Sequence, residues 1–114
     1  MEKKRSIVFH KDYFNKFYVK QNEKVRKKIA QVLVWIQTLE VLPVSIFKSI
    51  ENVKGLYEIR IGMGGNIFRI FCCLDRGNLV VLFHGFQKKT QKTPPTEIAK
   101  AERLMEEYFK MKEE

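Results

Sequence analysis

Residues 56–86, LYEIRIGMGGNIFRIFCCLDRGNLVVLFHGF, contain three apolar stretches separated by two short segments that include glycine. The β-branched and aromatic residues of these stretches are typical of strands. We place the strands at Leu56–Ile61, Ile67–Leu74 and Leu79–Phe86. Residues 62–66 and 75–78 contain residue types that tolerate the positive φ angles of hairpin turns. The segment therefore predicts three consecutive strands joined by tight turns, in an antiparallel sheet.

The part of the chain before this segment predicts one strand and two helices. Ser6–His10 is short, β-branched and aromatic enough to be a strand. The aromatic residues within 11–20 have a spacing that fits one or two helical turns. Over about residues 22–40, apolar residues recur at helical spacing with lysines on the other side. This pattern predicts an amphipathic helix whose N-cap is Asn22.

The part of the chain after the strands predicts a last helix. Thr93 is its expected N-cap, and the prolines at 94 and 95 suit a first turn in which a missing N–H has little cost. The predicted fold is therefore α+β, a small antiparallel sheet with an N-terminal helical hairpin and a C-terminal helix, in the order β-α-α-β-β-β-α. With 114 residues, the chain is expected to form a single domain over residues 1–114.

The composition predicts a cytoplasmic protein. The chain is 45% hydrophobic and 31% charged, which is ordinary for a globular protein. Its apolar runs are far shorter than the roughly 20 residues that a membrane-spanning helix needs. Its basic N-terminus lacks the apolar core of a secretion signal. Cys72 and Cys73 are adjacent in an apolar run, so their side chains are expected on opposite faces of a strand as reduced core residues.

The chain is strongly basic. It has 22 lysine and arginine residues against 13 acidic residues, and a formal net charge of +9 at pH 7. Such a charge attracts polyanions, so RNA, DNA, the ribosome and an acidic protein that covers the same surface are candidate partners. A basic surface that serves only solubility is the alternative interpretation.

The sequence contains none of the common short motifs of metal, phosphate or nucleophile sites, such as HExxH, GxSxG, GxGxxG or a P-loop. Between Val41 and Thr96 the acidic residues are few and scattered, which disfavours a Mg²⁺ site. The cysteines do not have zinc-ligand spacing. We therefore expect any catalysis to need neither a metal nor a cofactor.

Two arginines interrupt the apolar strands. Arg60 and Arg69 lie on strands that a tight turn joins, so their side chains are expected to share one face of the sheet. One interpretation is a solvated cross-strand salt bridge with Glu58. The other is a rigid fork of donors for phosphate oxygens.

The segment after the third strand, residues 84–93, HGFQKKTQKT, favours the second interpretation because it concentrates lysines and polar donors. If the turn brings it beside the arginines, the result is a basic concave surface. The catalytic candidates are Arg60, Arg69, Lys88, Lys89 and His84. The candidates for RNA binding are Lys92, Gln87, Gln91, Phe86 and Arg76.

Three strings, GLYEIR at 55–60, FRIF at 68–71 and HGFQKKTQKTPP at 84–95, resemble the RelE/HigB superfamily of toxins of type II toxin–antitoxin systems. The similarity is greatest to the phage-derived, Gp49-like, HigB-type branch and covers about residues 53–105. The resemblance implies the small sheet-and-helix fold of these toxins. It also implies metal-independent cleavage of mRNA on the ribosome, and an antitoxin partner that is commonly a helix-turn-helix (HigA-like) protein.

In this superfamily the ribose 2′-OH attacks the adjacent phosphate. By that resemblance, Arg69 and Arg60 would stabilise the charge of the transition state. Lys88 or Lys89 is the candidate base, since nearby cations lower the pKa of a lysine. His84 is the alternative base, with a buried structural role as an equal possibility. Phe86 is the candidate to stack on a base of the RNA.

Two other functions are compatible with the same sequence. The first is a non-enzymatic toxin like the ParE branch, which inhibits DNA gyrase. The second is a basic nucleic-acid-binding regulator without toxicity, whose binding would fall steeply with salt.

Overall fold

The computed structural model describes residues 2–113, in which helices pack on both faces of a five-stranded mixed sheet. The strands are β1 (Ser6–Phe9), β2 (Phe47–Ser49), β3 (Leu56–Met63), β4 (Asn66–Asp75) and β5 (Leu79–Lys88). The helices are α1 (Tyr13–Tyr18), α2 (Glu23–Thr38) and α3 (Pro95–Lys112). Within residues 2–113, none of these helices is long and apolar enough to cross a membrane.

The predicted α+β class is confirmed, and two details of the predicted fold are wrong. The first error is the order of elements, which is β-α-α-β-β-β-β-α because the short strand β2 pairs with β3. The second is the purely antiparallel sheet, since β1 lies parallel to β5 in a sheet of order β1-β5-β4-β3-β2. Only β1 breaks the antiparallel pattern, and it does so at the edge of the sheet.

The two faces of the sheet carry separate apolar cores. Helices α1 and α2 cover one face, where Ile59, Ile70 and Leu82 are fully buried. Helix α3 covers the other face, where Phe71 and Phe83 are fully buried. The adjacent cysteines lie in different cores, because successive side chains of a strand point to opposite faces. Cys72 lies under α1 and α2, and Cys73 lies under α3. Both thiols are free.

The turns and helix caps follow the sequence with one exception. The β3–β4 turn is Gly64-Gly65, and both residues have the positive φ of a two-residue hairpin (58° and 84°). Asn22 caps α2 as predicted, since its Oδ1 accepts a hydrogen bond from Val25 N at 2.9 Å. The predicted cap of α3 is wrong, because Pro94 occupies the N-cap position. The hydroxyl of Thr93 instead donates to Glu58 Oε1 at 3.3 Å.

A bulge in β5 determines where His84 points. Ile70 pairs with Gly85 while Cys72 pairs with Leu82, so β5 has one extra residue at this place. Phe83 and His84 are consequently both buried. Beside them, α1 packs so closely on β5 that a Cβ at Gly85 would lie 2.6 Å from the ring of Phe17. Only glycine permits this approach.

Candidate functional site

A buried carboxylate lies between two arginines on the face of the sheet that α3 covers. Arg60 and Arg69 are directly opposite each other in the β3–β4 register, and Glu58 is two residues before Arg60. Glu58 Oε2 is 3.2 Å from Arg69 Nε and 3.3 Å from Arg60 Nε. One carboxylate therefore faces two guanidinium groups, and the cluster keeps an excess positive charge.

The burial of this cluster is uneven. Glu58 and Arg69 are each 5% exposed, whereas the Arg60 side chain is 29% exposed. The salt bridge with Glu58, one of the two interpretations of the strand arginines, is present for both. At Arg69 it is buried and not solvated as that interpretation expected. Burial lowers the pKa of Arg69, and the nearby Glu58 carboxylate opposes that shift. The result is an arginine held in a fixed place with limited competition from water.

The hydrogen-bonding capacity of Arg69 is only partly used. Its Nη1 donates to the backbone oxygen of Phe68 at 3.1 Å. Its Nε lies near Glu58 but makes no properly aligned hydrogen bond within residues 2–113. The guanidinium therefore retains donor capacity for an anion.

Lys88 faces the same cluster. In the β4–β5 register, Phe86 is opposite Arg69 and Lys88 is two residues further along, on the same face. The pKa of Lys88 is lowered first by burial and then by the charge of Arg69. The Glu58 carboxylate opposes this shift, and Arg60 and Lys48 add smaller lowering effects. The neighbouring Lys89 is not among the groups that lower it.

An open cavity of about 520 Å³ lies over Glu58, Arg60 and Lys88. One wall is the end of β2 and the segment that follows it, residues 48–52. The other wall is the loop between β5 and α3, from which the predicted residues Gln91 and Lys92 contribute. The sequence predicted this second wall and missed the first, because β2 is too short to show an alternating pattern.

A second depression, of about 510 Å³, lies on the other side of Lys88. It contains the predicted residues Gln87, Lys89 and Gln91. Gln87 is held there by a hydrogen bond from its Nε2 to Asn66 Oδ1 at 3.2 Å. Because Lys88 and Gln91 line both depressions, the two form a continuous basic surface along the end of β5.

The structure places four predicted residues outside this surface, and the first of them is Arg69, which is buried beside Glu58 and lines neither depression. His84 is buried, its Nε2 is 3.0 Å from Glu97 Oε1 on α3, and burial lowers its pKa. Phe86 is half-buried and stacks on Phe71, with ring centroids 5.7 Å apart, so one face of its ring is occupied. Arg76 lies in the β4–β5 turn, roughly 30 Å along the strand from Lys88.

Two residues of the cluster were not among the sequence-predicted site residues. Glu58 was treated only as a salt-bridge partner, and Thr93 only as a helix cap. The available signal was their place in the motifs: Glu58 lies in GLYEIR together with Arg60, and Thr93 lies in HGFQKKTQKTPP together with Lys88. Within residues 2–113, no three His, Cys, Asp or Glu side chains lie close enough to hold a metal ion.

Comparison with known families identifies the chain. Residues 16–106, which include β2–β5 and every residue of the basic surface, match the family described as phage derived protein Gp49-like (DUF891). The chain belongs to the Gp49-like family. The Gp49-like proteins are a family of RelE/HigB-type toxins, so the resemblance inferred from the sequence is confirmed. No curated protein sequence matches the chain.

Membership in the Gp49-like family indicates a toxin of a toxin–antitoxin system. It also implies a cognate antitoxin as a partner of this Gp49-like protein. The basic surface beside Glu58, Arg60 and Arg69 is the part of the molecule whose chemistry suits a polyanionic target.

Proposed function

We propose that this protein is an endoribonuclease toxin that cleaves mRNA on the ribosome. The observation that carries the proposal is the arrangement of Arg69, Arg60 and Lys88 around one buried carboxylate at the floor of an open cavity. A phosphodiester in this cavity would meet the guanidinium of Arg60 and the amine of Lys88. The charge of Arg69, which is buried beside Glu58 and does not line the cavity, would add to theirs.

The arginines supply charge stabilisation. Attack on phosphorus adds negative charge to the phosphate oxygens, and donors fixed before the reaction stabilise that charge most effectively. Glu58 fixes Arg69 and Arg60 through contacts of 3.2 Å and 3.3 Å, and it is itself held by Thr93. Glu58 is therefore a positioning residue in this proposal.

Lys88 supplies the base. Its lowered pKa increases the fraction of neutral amine near pH 7, and the neutral amine takes the proton of the ribose 2′-OH. The 2′ oxygen then bonds to the adjacent phosphorus while the bond from phosphorus to the 5′ oxygen breaks. The leaving 5′ oxygen takes a proton from the ammonium group of Lys92, in the wall formed by the loop between β5 and α3. The products are a 2′,3′-cyclic phosphate and a 5′-OH, so atoms and charge balance without a further reactant.

The ribosome and the antitoxin complete the proposed system. The net charge of +9 favours association with ribosomal RNA, where mRNA is presented as a single strand. We infer that a helix-turn-helix (HigA-like) antitoxin neutralises the toxin by masking or distorting the surface around Lys88.

The test is in vitro translation of a reporter mRNA with purified protein, followed by primer extension. We expect discrete new 5′ ends that require active translation, and 2′,3′-cyclic phosphates on the upstream fragments. Lys88→Met should remove them, whereas Lys110→Met, the same change at an exposed position of α3, should not.

Two results would contradict the proposal. Cleavage that survives in Lys88→Met would refute the role of this amine. Absence of cleavage by folded wild-type protein would refute the nuclease, and a plasmid supercoiling assay would then test inhibition of DNA gyrase.

A further inference from the structure

The wall of the cavity formed by residues 48–52 has a composition that phosphate binding does not explain. It combines an apolar side chain, Ile50, with the polar groups of Glu51 and Asn52. Ile98 of α3 adds a second apolar group from across the cavity. A flat ligand with apolar faces and a polar edge fits such a lining, and a nucleobase has that character.

This wall is rigid because the backbone ties it down. Ile50 N donates to Leu56 O at 2.9 Å, and Leu56 N donates to Val53 O at 3.2 Å. Ile50 and Val53 also pack against the core under α3. Asn52 has a φ of 67°, in the left-handed region that asparagine tolerates better than most residues. The polar groups of the wall are therefore presented from a fixed turn.

The polar side chains of the wall are available to a ligand. Within residues 2–113, Glu51, Asn52 and Gln91 make no side-chain hydrogen bond or ion pair. The cavity has one other carboxylate, Glu58, which the arginines and Thr93 already occupy. Of the two carboxylates that line the cavity, Glu51 is therefore the one without a partner among residues 2–113.

A carboxylate in this position disfavours binding of a phosphate at the same place. Lys48 and Lys92 attract the backbone of a polyanion to the cavity, and Glu51 repels it from the turn. A carboxylate accepts hydrogen bonds and donates none. The turn is therefore suited to donors on the edge of a base.

We propose that this wall is a base-binding subsite in which Glu51 selects guanine in the nucleotide next to the cleaved phosphodiester. This inference rests on the proposed function, since a strand cleaved beside Lys88 would extend along this wall. In a single strand the Watson–Crick edge is free for recognition. Guanine presents two adjacent donors there, N1–H and N2–H, which match the two oxygens of a carboxylate. Uracil presents one donor flanked by two carbonyl oxygens, which the carboxylate repels.

The experiment measures binding separately from cleavage. Fluorescence anisotropy is recorded with four pentanucleotides that differ only in the central base and carry 2′-deoxyribose, so that 2′-OH attack cannot occur. We expect the guanine oligonucleotide to bind roughly tenfold more tightly than the one with thymine, the deoxy counterpart of uracil. In Glu51→Gln the ratio should fall to within about twofold, because the amide replaces one acceptor with a donor.

Glu102→Gln is the matched control, since it makes the same charge change at an exposed position of α3 and should keep the tenfold ratio. Equal binding of all four bases, or a guanine preference that survives in Glu51→Gln, would overturn the inference. A protein that cleaves mRNA without base selectivity would refute the subsite alone. A protein that selects guanine but does not cleave would refute the nuclease and leave the subsite standing.

Discussion

Two buried carboxylates, Asp75 and Glu58, lie on the side of the sheet that helix α3 covers, and they have different surroundings. Asp75 at the end of β4 accepts hydrogen bonds from Tyr108 Oη and Lys112 Nζ, both at 2.7 Å. Glu58 in β3 faces two arginines at 3.2 Å and 3.3 Å. At Asp75 one cation meets one anion, whereas at Glu58 two cations meet one anion.

This difference distinguishes a structural contact from a candidate site. Hydrogen bonds from Lys112 and then from Tyr108 lower the pKa of Asp75. Both contacts are short, and the charge of Lys112 balances that of the carboxylate. The Glu58 cluster has longer contacts, a positive excess and a cavity above it. The balanced charges at Asp75 fit a contact that stabilises α3, whereas the excess positive charge beside the cavity fits binding of an anion at the Glu58 cluster. Substitutions in the two clusters should separate the structural role from the functional one.

The largest expected effect is that of Arg69→Ala. The variant removes a fixed positive charge beside the transition state and leaves Glu58 with one guanidinium, so the rate should fall by about 10²–10³-fold. Glu58 keeps Arg60 and Thr93 as partners, so the variant should remain folded. Initial cleavage rates on stalled ribosome complexes, with circular dichroism as the folding check, measure the effect. Full activity in a folded Arg69→Ala protein would place the chemistry elsewhere.

The next effect is the pH dependence that Lys88 gives to cleavage. A base must be deprotonated to act, and the pKa of Lys88 lies below its ordinary 10.5. The rate should therefore rise with pH between 6.5 and 8.5, by about tenfold per unit while the amine is mostly protonated. Lys88→Met should be about 10²-fold slower and lack this slope. A parallel slope in the variant would show that another group titrates.

A smaller effect, on stability alone, is expected for Tyr108→Phe. The variant loses one hydrogen bond to Asp75, which is worth about 1 kcal/mol. Thermal unfolding should show Tm lowered by about 4 °C. Cleavage should stay at the wild-type rate, because Tyr108 lies at the other end of the sheet from Lys88. A loss of cleavage without a loss of stability would contradict the division between the two clusters.

The smallest effect is expected for Thr93→Val. Valine has nearly the shape of threonine but cannot donate to Glu58, so the loop between β5 and α3 loses one tether. We expect cleavage to fall by about fivefold, which corresponds to the ~1 kcal/mol that a typical hydrogen bond contributes. Thr93→Ser, which keeps the hydroxyl, should restore most of the rate. Equal rates in both variants would show that the tether does not position the site.

Much of the fold follows from the sequence, because the strands and α2 have regular patterns. Strands β3–β5 follow from apolar stretches bounded by glycine turns, and α2 from its apolar spacing and the Asn22 cap. The short β2 has one buried residue, Phe47, and so no pattern to detect. The parallel pairing of β1 with β5 depends on the path of two helices, which local sequence does not encode.

The candidate site was only partly predictable. The arginines were visible because charge inside an apolar strand is unusual, and their placement on one face follows from the hairpin register. The burial of Glu58 was not visible, since it depends on how α3 and the loop before it cover the sheet. The position of His84 depends on a bulge, which one residue more or less in β5 would remove.

The two adjacent thiols can report on local unfolding, in which a helical layer detaches from the sheet. Burial raises the pKa of Cys73 to about 12 and that of Cys72 well above its ordinary value, so neither forms the reactive thiolate in the folded protein. Alkylation of Cys72 requires α1 and α2 to leave the sheet, and alkylation of Cys73 requires α3 to leave. Labelling rates in Cys72→Ser and Cys73→Ser variants would therefore show which helical layer detaches first, and whether an antitoxin loosens one layer and not the other.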